Sequence, residues 1–124
     1  MPLIHVYMRA GKPAAYRQAI LDGLYRALRD SLDVPEGDHF MTITEHLASD
    51  FRTGGAYGVL RSEDVIYIDI TVFNTRTAAQ KATLFRRIVE VLNEKPGVRP
   101  EDVFIVVHDA PKENWSVGNG LAVA

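Results

Sequence analysis

With 124 residues the chain is long enough for one domain with a real core and too short for two. Its 14 Lys and Arg against 16 Asp and Glu give a formal charge of −2, and no basic cluster alternates with aromatics, which argues against nucleic-acid and membrane partners. Cysteine is absent, and His5, His39, His46 and His108 lack metal-ligand spacing, so no disulfide, thiol nucleophile, metal or cofactor is expected. Neither a signal peptide nor an apolar run of membrane-spanning length is present, which makes the cytoplasm the expected compartment.

The chain opens Met1-Pro2. Removal of the initiator Met would leave proline with a free secondary amine. An ordinary α-amino group titrates at about 7.7–8.0. An apolar pocket disfavours the cation and lowers that value, giving a general base poised near neutral pH.

Leu3 to Met8 is short, apolar and β-branched, as a strand requires. Ile20, Leu21, Leu24, Ala27, Leu28 and Leu32 recur at three- and four-residue intervals and predict an amphipathic helix over about residues 13–32. Val34-Pro35-Glu36-Gly37-Asp38 breaks it, and Phe40 to Glu45 alternates as a half-buried strand does. The order then returns: a strand from Val65 to Phe73, a helix carrying Leu84, Phe85, Ile88, Val91 and Leu92, a break at Lys95-Pro96-Gly97, and a strand from Val103 to His108.

Adding 64 superimposes the halves without a gap, taking Ile4 to Ile68, Val6 to Ile70, Leu24 to Ile88, Leu28 to Leu92, Val34 to Val98, Asp38 to Asp102, Phe40 to Phe104 and Gly54 to Gly118. The expected fold is therefore α/β (α+β): two pseudo-symmetric β-α-β units, about 2–60 and 66–124, forming one four-stranded sheet with both helices on one face.

Where the repeat breaks, function becomes the better explanation. Pro2 maps to Ile66, Lys12 to Arg76 and Phe51 to Trp115. Lys12 and Arg76 each follow a strand and open a helix, where a cation can meet an anionic ligand beside helix N-terminal amides. Arg76 alone of the two can bind a carboxylate bidentately.

Met1-Pro2-Leu3-Ile4, Gly11-Lys12 and the segment Pro111-Lys112-Glu113-Asn114-Trp115-Ser116-Val117-Gly118-Asn119-Gly120 resemble the tautomerase superfamily, over essentially the whole chain. The Val34 to Asp38 turn is similar to that of the malonate semialdehyde decarboxylase-like members among the long two-unit, 4-oxalocrotonate tautomerase-like chains. The resemblance implies a homotrimer with Pro2 at the floor of an apolar pocket, to which neighbouring chains can contribute. It implies Pro2 as the catalytic base, Arg76 as ligand of a small substrate's carboxylate, and no cofactor. In the decarboxylase branch the proline acts as a cationic acid with an aspartate and two arginines, a pattern matched by Asp38 and Arg76. The second arginine is replaced by Asn74, which donates hydrogen bonds but carries no charge.

A structural turn role also explains Asp38, because Asp102 occupies the same position where no proline exists. Trp115 and Phe51 are expected as pocket walls or trimer-interface aromatics, with Lys12 and Asn74 as further substrate-binding candidates. Tyr7, Tyr57 and Tyr67 are equally placed by spacing to supply a phenol. The leading expectation is enol–keto tautomerisation of a small 2-oxo acid. One rival is a decarboxylase or hydratase with a second cation from Arg9 or a neighbouring chain. The other is a non-catalytic ferredoxin-like binding protein, in which Pro2 would be exposed at a frayed end.

Overall fold

The computed structural model describes residues 2–123, so the expected removal of Met1 concerns a residue outside the described ones. Six main elements follow in order: β1 (Leu3–Arg9), α1 (Ala14–Leu32), β2 (Phe40–His46), β3 (Ile66–Phe73), α2 (Ala78–Glu94) and β4 (Val103–Ala110). Each lies where the apolar periodicity placed it. Three strands run one or two residues further than expected, and β3 begins at Ile66.

The strands form one sheet in the order β2-β1-β3-β4. β1 is parallel to β2, β3 is parallel to β4, and β1 meets β3 antiparallel at the centre. The 64-residue correspondence turns the cross-strand pair Ile4–Ile70 into Ile68–Val6, which is also a pair, and turns His5–Asp69 into itself. The pseudo-two-fold axis therefore passes between His5 and Asp69.

Strand side chains alternate between faces. Ile4, Val6 and Met8 of β1 and Ile66, Ile68, Ile70 and Val72 of β3 are buried beneath the helices. Against them pack Ile20, Leu24, Ala27, Leu28 and Leu32 of α1 and Leu84, Ile88, Val91 and Leu92 of α2. Each such side chain contributes about 1.5–3 kcal/mol by leaving water. The helices approach closely at Gly23, where a Cβ would stand 2.9 Å from Leu92 Cδ2.

The helices differ at their starts. Thr77 and Gln80 form a capping box on α2, whereas Pro13, the counterpart of Thr77, gives α1 no side-chain cap. Among the described residues no helix covers the other face of the sheet, which presents Leu3, His5, Tyr7, Tyr67, Asp69, Phe104, Val106 and His108, all half-buried or exposed. Among the described residues no helix is long and apolar enough to cross a membrane.

Candidate active site

The antiparallel pairing of β1 and β3 decides which termini meet. Leu3 pairs with Thr71, so Pro2 lies where β3 runs out through Phe73 and Asn74 towards Arg76. β2 begins at this end, with Phe40 beside Leu3 just after Asp38. β4 finishes here, with Ala110 beside Phe73, and leads into Trp115. Pro2, Asp38, Asn74, Arg76 and Trp115 thus come from distant parts of the sequence to one end of the sheet.

Pro2 is buried. It lines a hollow of about 260 Å³ with Leu3, Phe40, Trp115, Ser116 and Val117. The exposed Pro2 expected of the ferredoxin-like binding protein is not observed. Trp115 is fixed from two sides: its Nε1 donates to the Ala110 carbonyl at 3.1 Å, and Phe73 meets it edge-on at 5.3 Å between centroids. The following segment folds back, the Val123 N–H donating to the Trp115 carbonyl at 3.1 Å. A second hollow, of about 430 Å³, is lined by Asp38, Phe73 and Val123 and shares the Phe40 and Val117 walls with the first.

Arg76 donates from Nη1 to the Leu32 carbonyl at 2.7 Å, satisfying an orphan acceptor at the end of α1. A guanidinium carries five donors, so this bond orients the group without consuming it. Asn74 is exposed in the turn before α2. Asp38 is buried, and its backbone N–H donates to the Pro35 carbonyl at 3.1 Å.

Asp38 is best understood beside its counterpart. Asp102 is fully buried and accepts from the Ser62 N–H at 2.7 Å and the Ser62 hydroxyl at 2.6 Å, anchoring the segment that leads into Ile66. Asp38 occupies the matched, buried position at the Pro2 end.

Arg76 and Asn74 reach this end of the sheet but line neither hollow, and two further expectations change. Lys12 and Phe51 do not join the Pro2 hollow within the chain, because each follows a strand that begins beside Pro2 and runs away from it. Lys12 ends 3.0 Å from Asp64 Oδ1, in a small hollow with Met8, Arg9 and Val65. The hydrogen bond that Lys12 donates to Asp64 holds its ammonium above the ordinary lysine pKa, against an opposing effect of burial. Phe51 stacks on Tyr67 at 4.7 Å beneath the Arg9 guanidinium. Arg9 also donates to the Glu63 carbonyl at 2.8 Å, so within the chain it is no second cation for Pro2.

None of the three tyrosines lines the Pro2 hollow. Tyr7 stacks on His5 at mid-sheet, the Tyr67 hydroxyl donates to the Arg52 carbonyl, and Tyr57 is 93% exposed. Sequence reasoning missed the walls Phe40, Phe73 and Val117. The pairing of Phe40 with Phe104 in the repeat was the available signal. Among the described residues no group of three or more His, Asp or Glu is placed to hold a metal ion.

A family model for tautomerase enzymes (Tautomerase_2) matches residues 38–118. The chain is 34% identical over 123 residues to the probable tautomerase YusQ of Bacillus subtilis (strain 168), covering 98% of this chain and 97% of that one. It superposes with a TM-score of 0.90 on a malonate semialdehyde decarboxylase inhibited by 3-bromopropiolate, at 32% identity, covering 96% of this chain and 91% of the other. A fused 4-OT symmetric trimer gives a TM-score of 0.82 at 26% identity, covering 98% and 95%. With its duplicated β-α-β sheet and this sequence likeness along nearly its whole length, the chain belongs to the tautomerase superfamily of enzymes.

Proposed function

We propose that the chain, once Met1 is removed, interconverts the enol and keto forms of a small 2-oxo acid. The observation that carries this reading is the burial of Pro2 in a largely apolar hollow. Apolar surroundings disfavour the charged form of a secondary amine and so favour its acting as a base. In the ketonising direction the Pro2 nitrogen takes the enol O–H proton as the oxygen becomes a carbonyl. The C=C electron pair then takes that proton at carbon, leaving the amine as it began. Arg76 holds the carboxylate, and its charge favours the enolate-like transition state. Trp115 and Phe40 exclude water.

We further propose a cytoplasmic homotrimer assembled through the helix-free face. Support comes from the apolar groups left there, Leu3 at 52%, Phe104 at 43% and Val106 at 42% exposure, and from likeness to a trimeric fused 4-OT.

A second reading, decarboxylation or hydration, is favoured by one observation: a carboxylate, Asp38, is buried at the Pro2 end. Its charge would keep the amine protonated, so that Pro2 donates a proton instead of accepting one. The choice is tested on protein whose loss of Met1 is confirmed by intact mass. Ketonisation of enol phenylpyruvate and 2-hydroxymuconate is followed by absorbance, and loss of malonate semialdehyde in parallel. The tautomerase reading expects turnover of the enols well above that of a folded Pro2→Ala variant. Equal rates for the two proteins would overturn it, and turnover of the semialdehyde alone would select the second reading.

A further inference from the structure

We propose that the Ser116 hydroxyl is the hydrogen-bond donor to the reacting oxygen of a substrate in the Pro2 hollow. The inference rests on the reading of Pro2 as the group that moves the proton.

A 2-oxo acid brings a polar oxygen into largely apolar surroundings, and an oxygen that loses water there without a new partner is destabilised. The hollow is lined by Pro2, Leu3, Phe40, Trp115, Ser116 and Val117. Leu3, Phe40 and Val117 have no side-chain donor. The indole Nε1 of Trp115 can only donate, and it is engaged by the Ala110 carbonyl at 3.1 Å. Apart from Pro2 itself, Ser116 is therefore the one lining residue whose side chain has an uncommitted donor. Among the described residues neither its hydroxyl nor its amide has a hydrogen-bond partner. The residue is exposed, so its present partner is solvent, which a ligand in the hollow displaces.

The main chain around Ser116 is held on both sides. The Trp115 N–H donates to the Lys112 carbonyl at 3.1 Å, the Trp115 carbonyl accepts from Val123, and Ser116 forms a single antiparallel bridge with Ala122. A donor on a fixed backbone has little freedom left to lose when a ligand arrives. Ser116 is also a break in the repeat. Its counterpart is Arg52, whose carbonyl accepts from the Tyr67 hydroxyl. The counterpart of Tyr67 at the Pro2 end is Leu3, which has no hydroxyl. One end thus uses its hydroxyl to bind its own backbone, and the other carries its hydroxyl on the hollow's wall.

In the ketonising direction the enol oxygen gives its proton to Pro2 and carries growing negative charge until carbon is protonated. A hydroxyl donating to that oxygen binds it more tightly as the charge grows, since hydrogen bonds to ionised acceptors are roughly twice as strong as neutral ones. The contact therefore favours the transition state over the bound substrate and acts on kcat. Ser116 keeps its own proton throughout, so the proton count of the reaction is unchanged.

The test uses mature protein, with Trp115, the chain's single tryptophan, as the reporter of binding. In ketonisation of enol phenylpyruvate, Ser116→Ala is expected to lower kcat about tenfold with KM within about threefold. Ser116→Thr, which keeps a hydroxyl, is expected to restore most of the loss. Binding is read separately, in a Pro2→Ala background, with 2-oxohexanoate and hexanoate, which differ only in having a carbonyl or a methylene at the second carbon. Ser116→Ala is expected to raise the Kd of the oxo acid about fivefold and to leave hexanoate within about twofold. Wild-type kcat in Ser116→Ala, an equal loss in Ser116→Thr, or equal effects on the two acids would overturn the proposal. If Pro2→Ala turned over the enol as fast as the wild type, the reading of Pro2 would fall, and the two acids would still decide on Ser116.

Discussion

The two ends of the sheet are built by the same β-α-β unit and differ in what fills their mouths. At the Ile66 end the chain supplies every partner itself. Asp64 lies on Lys12, Asp102 grips Ser62, Ile66 is wholly buried and Phe51 stacks on Tyr67. At the Pro2 end the corresponding groups are Arg76, Asp38, Pro2 and Trp115, of which Pro2 and Trp115 line a hollow of about 260 Å³ and Asp38 one of about 430 Å³. The Ile66 end has hollows of its own, one of about 260 Å³ lined by Tyr57, Arg61, Tyr67 and Phe104 and one beside Lys12, and there Lys12, Arg9 and Arg61 are engaged by groups of the chain itself. The Pro2 end differs in chemistry, with an imino acid where the other end has Ile66, an arginine where it has Lys12 and an indole where it has Phe51.

Exchanging the chemistry of matched positions would break this comparison most sharply. Pro2→Ala should lower kcat by about 10²–10⁴-fold with the circular dichroism spectrum unchanged, since only the base is lost. Ile66→Ala at the matched position should instead cost about 2–5 kcal/mol in urea unfolding, the penalty of a cavity under the helices, with kcat nearly preserved. A large kcat loss at Ile66 would end the distinction between the two ends.

The carboxylates give the next contrast. Asp102→Ala leaves the buried Ser62 N–H and hydroxyl without their acceptor and should cost about 1–3 kcal/mol. Asp38→Asn should change kcat, or the pH dependence of kcat, more than the unfolding midpoint. Smaller again is the difference in helix capping: Thr77→Ala should cost about 1 kcal/mol, while Pro13→Ser on the uncapped helix should gain up to about 1 kcal/mol.

The smallest effect belongs to Lys12. Lys12→Met should cost no more than about 1 kcal/mol, because the pair is partly exposed. Its pKa is raised by Asp64, so the folded state binds the proton more tightly. The bridge's contribution is complete below about pH 10.4, the ordinary lysine value, and is lost as pH rises through the folded-state value above it. Unfolding midpoints of the wild type and Lys12→Met, measured at pH 8 and pH 11, should therefore converge at the higher pH.

The fold was legible because both signals that encode it are periodic. Alternation in Ile4, Val6 and Met8 and the helical spacing of Leu24 and Leu28 are local, and the 64-residue correspondence carries the pairing of the halves. The candidate site was legible partly where it breaks that correspondence and partly, at Asp38 and Asn74, through the family resemblance. Pro2, Arg76 and Trp115 were found in this way, and so were Lys12 and Phe51, which occupy the other end. The strand rise of about 3.3 Å per residue puts Lys12 roughly 30 Å along the chain from Pro2, a reach the repeat alone does not reveal.

The fold-back of residues 115–123 onto the Pro2 end has a consequence for protein engineering. It brings the two extremities of the fold together, so a short linker could join them and a new beginning could be cut in the exposed loop before Ile66. Such a circular permutant, with Ile66→Pro as its first residue, would present a secondary amine beside Asp102 and Lys12 and turn the old proline into an ordinary amide. Activity that moved with the amine would make the catalytic end of this molecule a matter of where its covalent thread is severed.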